Sequence, residues 1–172
     1  MTSRYEPFPL EFPDNIRLVE LHAGTPSADL TCTAIQTRLK DALPYEAISY
    51  TWGTTDDQRR LGCGPSDSQS IIMVTRDCES MLRRLRSSDV SRLVWIDAIC
   101  IDQGNVDERN AQLAMMGRIH QTVCRVVIDI GEASDSSDQA LEAIIHCSGK
   151  ALYQMELGLN IKRAVQKLYD RA

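Results

Sequence analysis

This sequence predicts an α/β architecture: a central parallel sheet flanked by helices, entered through an N-terminal β-hairpin. Two observations carry the expectation. Short apolar runs of strand length (YEAISY at 45–50, LVWIDAICI at 93–101, RVVIDI at 125–130) alternate with longer segments whose apolar residues recur at helical spacing. Such alternation favours strands that share a direction, with the helices that connect them lying on the faces of the sheet.

In chain order, residues 16–22 and 30–39 are rich in β-branched and apolar residues and flank the turn-forming stretch Ala23-Gly24-Thr25-Pro26-Ser27, which predicts the hairpin. Residues 45–50 alternate and run into Gly53, as a strand entering a loop would. From Gly53 to Ser70 the chain is dominated by Gly, Asp, Ser, Thr and Arg and reads as one exposed loop. Cys78, Met81, Leu82 and Leu85 then share one helical face, with Thr75 or Asp77 placed to cap the helix. The run 93–101 is almost continuously apolar and predicts a strand buried on both faces, with the carboxylate of Asp97 inside it. Asn105, followed three residues later by Glu108, is a capping-box variant. The helix it opens is expected to turn Leu113, Met116, His120 and Val123 inward. Residues 125–130 form another short buried strand closed by Gly131. After them come an acidic, serine-rich loop (GEASDSSD), a helical pattern at Leu141, Ile144 and Ile145, and a last helix capped by Asn160 with Ile161, Ala164, Val165 and Leu168 inward.

The chain has 172 residues, 43% of them hydrophobic and 25% charged, within the range of one globular domain. A formal net charge of −5 and the lack of any sustained Lys/Arg run remove the electrostatic footprint of a nucleic-acid or anionic-membrane binder, so neither is an expected partner. No stretch has the apolar core of a signal peptide or the length of a membrane span. The six cysteines are scattered without a C-x-x-C pair and no Asn-x-Ser/Thr acceptor occurs. Free thiols in a reducing, cytoplasmic setting are therefore expected.

In an open parallel sheet, ligands bind beyond the carboxyl ends of the strands, where loops and helix N-termini converge. Tyr50, Trp52 and Gly53 end one central strand, and Asp97 lies in the other, making these four the ligand-binding candidates. A buried carboxylate must find donors or be held protonated, so Asp97 is a tie between loops or a functional acid. Trp52 reads equally as a packing anchor, and Gly53 as a turn that needs positive φ. The polar loop that follows, with Asp102, Gln103, Asn105, Asp107, Glu108 and Arg109, is the candidate interaction surface. Glu108 has a sufficient explanation in capping. Arg109, a cation near a helix start, hints at a specific partner. Cys100 and His120 suggest a nucleophile and base, but both fall in apolar surroundings where a thiol is inert. His22, His120 and His146 have no metal-ligand spacing, so no metal is expected.

Three stretches in order carry a family resemblance: IRLVELHAG at 16–24, YEAISYTWG at 45–53, and LVWIDAICIDQ at 93–103 leading through Glu108-Arg109, Gln112, Met116 and Ile119 to VVIDIG at 126–131. A Ser-Tyr-x-Trp-Gly strand end followed by Trp-Ile-Asp-x-Ile-Cys-Ile-Asp-Gln and Glu-Arg resembles the fungal heterokaryon-incompatibility (HET) family, over roughly residues 5–131. The family usually has Tyr in place of His120 and Trp in place of Asp129. Its pattern also continues past a segment like AVQKLYDRA into a Trp-x-x-x-Glu element, which implies that this chain is cut short at its C-terminus.

HET domains are in turn similar to TIR domains, flavodoxin-like modules of cell-death and immune signalling. The resemblance implies that residues 1–15 are an extension and 16–172 the HET-like domain, with YEAISYTWG, LVWIDAICI and VVIDIG as its first three TIR-like strands. It also implies an assembly role in non-self recognition, with protein partners or self-association through the 102–109 loop and no cofactor. The alternative it implies is an NAD-cleaving hydrolase in which Tyr50, Trp52 and Gly53 hold the nucleotide and a glutamate beyond Ala172 is catalytic. This chain by itself is then not expected to consume NAD.

Overall fold

The computed structural model describes residues 10–64 and 70–129, all within one compact unit that ends at Asp129. The residues expected to form the acidic loop and the two last helices lie outside this described part.

The hairpin forms as expected. β1 (Asn15–Leu21) and β2 (Thr31–Arg38) pair antiparallel over their whole length, from Asn15 against Arg38 to Leu21 against Cys32. A 3-10 turn at Leu39–Asp41 leads to β3 (Glu46–Tyr50). The stretch 53–70, read as one exposed loop, instead holds β4 (Gln58–Cys63), which forms a second hairpin with β5 (Ser70–Thr75), a strand that begins where that stretch ends. Its signal is the period-2 pattern of β5, in which Ile72 and Val74 are buried while Ile71 and Met73 face outward. The polar start of β4, Gln58-Arg59-Arg60, masks the burial of Leu61 and Cys63 behind it.

α1 (Arg76–Leu85) is capped by Thr75, whose Oγ accepts from Cys78 N–H at 3.2 Å, and it buries Cys78, Met81 and Leu82. β6 (Arg92–Ile96) stops five residues before the expected end. Asp97 turns its side chain onto the N–H of Ala98 at 2.7 Å and opens a single helical turn, α2 (Asp97–Cys100). A carboxylate that bonds its own neighbouring backbone competes with the sheet ladder, which is why the apolar run does not remain a strand.

α3 (Val106–Thr122) buries Gln112, Met115 and Ile119, so its inward face is rotated by one residue from the one expected and Leu113 is exposed. The cause is Gln112, a polar side chain that sits inward because its amide donates to the carbonyl of Asn15 at 2.9 Å. β7 (Arg125–Asp129) was expected to be buried and is not. Among the described residues it pairs only with β3, and Val126 and Ile128 are exposed.

The described strands make one sheet in the order β5-β4-β2-β1-β6-β3-β7. It is mixed rather than wholly parallel. β6, β3 and β7 are parallel neighbours and β2 is parallel to β4, but β1 runs antiparallel to both β2 and β6, and β5 runs antiparallel to β4. The N-terminal hairpin thus does not stand apart: its first strand extends the parallel trio.

Register and the alternation of strand side chains sort the core into two layers. One face carries Val19, Leu21, Cys32, Ile48, Cys63, Ile72, Val74, Val94 and Ile96. Cys78 of α1 and Cys100 of α2 are buried in the vicinity of Cys32. The other face carries Ala47 and Trp95 beneath α3, where Tyr45 Oη donates to Ile119 O at 2.9 Å and the Trp95 ring meets His120 edge-on. Trp95 is fully buried, and cutting it to Ala would cost about 3–5 kcal/mol.

A candidate functional site at the carboxyl ends of β3 and β6

Because β3 and β6 are parallel neighbours, their carboxyl ends finish side by side, and the chain leaves them through Thr51-Trp52-Gly53 and through α2. Trp52 and Asp97, 45 residues apart in sequence, meet there: the indole Nε1–H donates to Asp97 Oδ1 at 3.2 Å. The same oxygen accepts from Ala98 N–H. Burial pushes the Asp97 carboxyl above its ordinary value, against the pull of these two donors and of nearby His120. Asp97 is therefore a half-buried acid held at the head of a helical turn, not a residue inside a strand. Trp52 is no core anchor. It is 42% exposed and lies as a partly open lid beside that carboxylate.

Gly53 has φ +68°, the left-handed backbone expected of it. The carboxylate of Asp77, from the first turn of α1, occupies the space a side chain at Gly53 would need. Tyr50 points into the α1 layer within hydrogen-bonding reach of Cys78 and Thr75, and burial, with Cys78 assisting, pushes its phenol well above the ordinary range. Of the four ligand-binding candidates, then, Trp52 and Asp97 touch, Gly53 shapes the loop between them, and Tyr50 is turned away into packing.

The 102–109 segment is braced from inside. Arg17, 2% exposed in the middle of β1, forms a two-pronged pair with Glu108 and donates to Cys100 O at 3.1 Å. Glu108 also accepts from Asp102 N–H at 2.7 Å. Its side chain thus does not close a capping box, and the sequence-based assignment of Glu108 to capping is corrected. Asn105 alone caps α3, its Oδ1 accepting from Glu108 N–H at 3.1 Å. Asp102 folds the turn by accepting from Gly104 N–H, and Gln103 Nε2 ties back to Asp97 O at 2.9 Å. Arg109 sits half-buried in the first helical turn. Gly104, Asn105, Val106 and Asp107 are left facing outward on this braced frame.

The role of Arg17 was missed from sequence, and so was the contact of Asp77, read there only as a possible cap of α1. For Arg17 a signal existed, a lone cation inside the apolar strand pattern Ile-Arg-Leu-Val. The contact of Asp77 with Gly53 had none, because it depends on how α1 meets the loop. The two residues that depart from the family pattern are accommodated locally: His120 donates from Nδ1 to Met116 O at 2.9 Å while packing on Trp95, and Asp129 accepts from Arg84 Nε at 3.1 Å and Nη2 at 2.6 Å.

Among the described residues no group of three or more His, Cys, Asp and Glu could hold a metal, and no helix is long and apolar enough to cross a membrane. A cavity of about 580 Å³ lies elsewhere, lined by Leu30, Arg59, Arg60, Ile71, Glu79 and Arg83 among others, and takes in none of the candidates above.

Comparison with known proteins bears on what such an arrangement serves. The family model described as heterokaryon incompatibility protein (HET) matches residues 45–168. The chain is also similar to heterokaryon incompatibility protein 6, OR allele, of Neurospora crassa, with 29% identity over 140 residues. That match takes in 76% of this chain and 21% of the Neurospora protein, so the chain spans about a fifth of that relative's length. No solved structure matches.

Proposed function

The chain belongs to the heterokaryon incompatibility family, and from that premise we propose that it is a signalling and assembly module of fungal non-self recognition whose engagement leads to programmed cell death. The observation that carries this reading is the 102–109 segment. A rigid turn with an outward Val106, 55% exposed, beside Asn105 and Asp107 offers a preformed contact surface, and its ordering costs are met inside the domain by Arg17 and Glu108. Its partner is a protein, either another copy of this chain or a second component of the response. The parallel trio β6-β3-β7 supports a TIR-like relation, since the strands stand second, first, third in sheet order, as in flavodoxin-like folds.

Expression in a fungal host tests the reading, with cell death as the readout. Val106→Glu and Asp107→Arg should abolish death while leaving thermal unfolding within about 2 °C of wild type, and Arg60→Glu on β4 should leave death intact. Full killing by both loop variants would end the assembly reading.

A second reading rests on the contact between Trp52 and Asp97: a TIR-like pocket that cleaves NAD. A raised carboxyl beside a half-open indole at the sheet's carboxyl edge suits a nicotinamide ring stacked on Trp52. Nicotinamide release by purified protein that Trp52→Ala abolishes would put the enzyme in place of the assembly module.

A further inference from the structure

β2 and β4 touch over only two register pairs, Thr31 with Gly62 and Cys32 with Cys63. Partners in a ladder share a face, and adjacent strands lie about 4.8 Å apart, inside the roughly 4.4–6.8 Å Cα window that a disulfide spans. Both thiols are buried and perturb each other's titration. We infer that Cys32 and Cys63 form a redox-modification site, a pair of facing thiols that hydrogen peroxide converts to a cross-strand disulfide and a dithiol reductant restores.

The surroundings divide the roles between the two sulfurs. The neighbouring Cys32 thiol and Ala34 N–H favour the charged form of Cys63 and, against burial, bring its pKa down to about 7. Cys32 is pushed far up by its proximity to Cys63 and then by burial. Cys100 is buried without such help and is pushed up to about 12. Near neutral pH the thiolate population therefore concentrates on Cys63. Its sulfur attacks one peroxide oxygen, the O–O bond breaks, and the departing hydroxide takes up a proton to leave as water. Cys63 is now a sulfenic acid. Cys32 loses its proton, attacks the Cys63 sulfur, and expels the second water. Two thiols and one peroxide thus give one disulfide and two waters. Peroxide is small enough to enter when the two-residue ladder opens locally, whereas bulky alkylating agents are held back.

The experiment uses the full reduced chain, treated with hydrogen peroxide, alkylated under denaturing conditions and mapped by peptide mass. The expected result is the loss of two thiols, a mass lower by two hydrogens, a linked pair of peptides carrying Cys32 and Cys63, and recovery on adding dithiothreitol. Cys32→Ser should stop the sequence at the sulfenic acid, trapped on Cys63 by dimedone. Cys63→Ser should slow thiol loss at least tenfold. Cys78→Ser with Cys100→Ser keeps the pair and should still cross-link. The inference is overturned if Cys32 and Cys63 both remain alkylatable after peroxide, if the bond maps to Cys78, Cys100 or Cys124, or if Cys63→Ser reacts as fast as wild type.

Discussion

Arg17 and Glu108 show what one buried charge demands. Arg17 is 2% exposed and Glu108 11%, so either group alone would be a charge stranded in a poor solvent. Glu108→Ala should destabilise the domain by about 3–5 kcal/mol, and Arg17→Met with Glu108→Leu should recover much of that loss. Urea unfolding of the three variants is the check, and a double variant no better than Glu108→Ala would contradict it. Asp97 behaves with the opposite sign to a salt-bridged carboxylate. Its folded pKa lies above the ordinary 3.8, so the folded state holds its proton more tightly. The stability it adds is fully present below about 3.8 and fades as pH rises through the folded value. Asp97→Asn should remove that slope, so the wild-type advantage measured by thermal unfolding should shrink from pH 3.5 to pH 7. Glu46 runs the other way. Burial raises it, but bonds to Arg92 and Arg125 prevail and hold it below its ordinary value, so its contribution is present above about 4.5 and lost as pH falls.

The elements are governed by their ends. Asn105→Ala removes the only side-chain cap of α3 and should cost about 1 kcal/mol, with Asn105→Asp close to neutral. Gly53→Ala should cost more: about 1–2 kcal/mol for its left-handed backbone, together with the displacement of Asp77. Denaturant midpoints would rank the two, and Gly53→Ala equal to wild type would refute the geometry. These positions also show what the sequence made legible. Periodicity placed β1, β2, β3, α1 and α3 within a residue or two, and spacing found the Thr75 and Asn105 caps, because these are local properties of the chain. The β4–β5 hairpin was lost because the polar start of β4, Gln58-Arg59-Arg60, hides its buried end, and its place in the sheet comes from pairing with the distant β2. The end of β6 was lost because a single side-chain bond from Asp97 to Ala98 outweighs an apolar run. Trp52 was singled out at a strand end and Asp97 as a carboxylate inside an apolar run, but their contact follows from β3 pairing with β6, which no local pattern encodes.

The molecule as a whole is a sheet whose joints differ in strength. β1 and β2 share seven paired positions, β2 and β4 only two. Hydrogen exchange should therefore report β4 and β5 opening as a unit at lower free energy than β1, β6 and β3, and equal protection throughout would contradict it. Oxidation of Cys32 with Cys63 closes a loop of about 30 residues and should stabilise the whole by about 3–4 kcal/mol if the native geometry takes it without strain. The position of β3 has a further consequence during synthesis. Its only ladder partners among the described strands are β6 and β7, both encoded later than itself. When β3 leaves the ribosome it must wait for β6 to be translated, roughly two to nine seconds at about 5–20 residues per second. Through that interval Ala47 and Ile48 have neither neighbour, and both strand edges are open to other nascent chains. Any holdase that covers residues 45–53 would act in that window, and slowing translation between codons 50 and 92 would lengthen it and lower the yield of soluble protein.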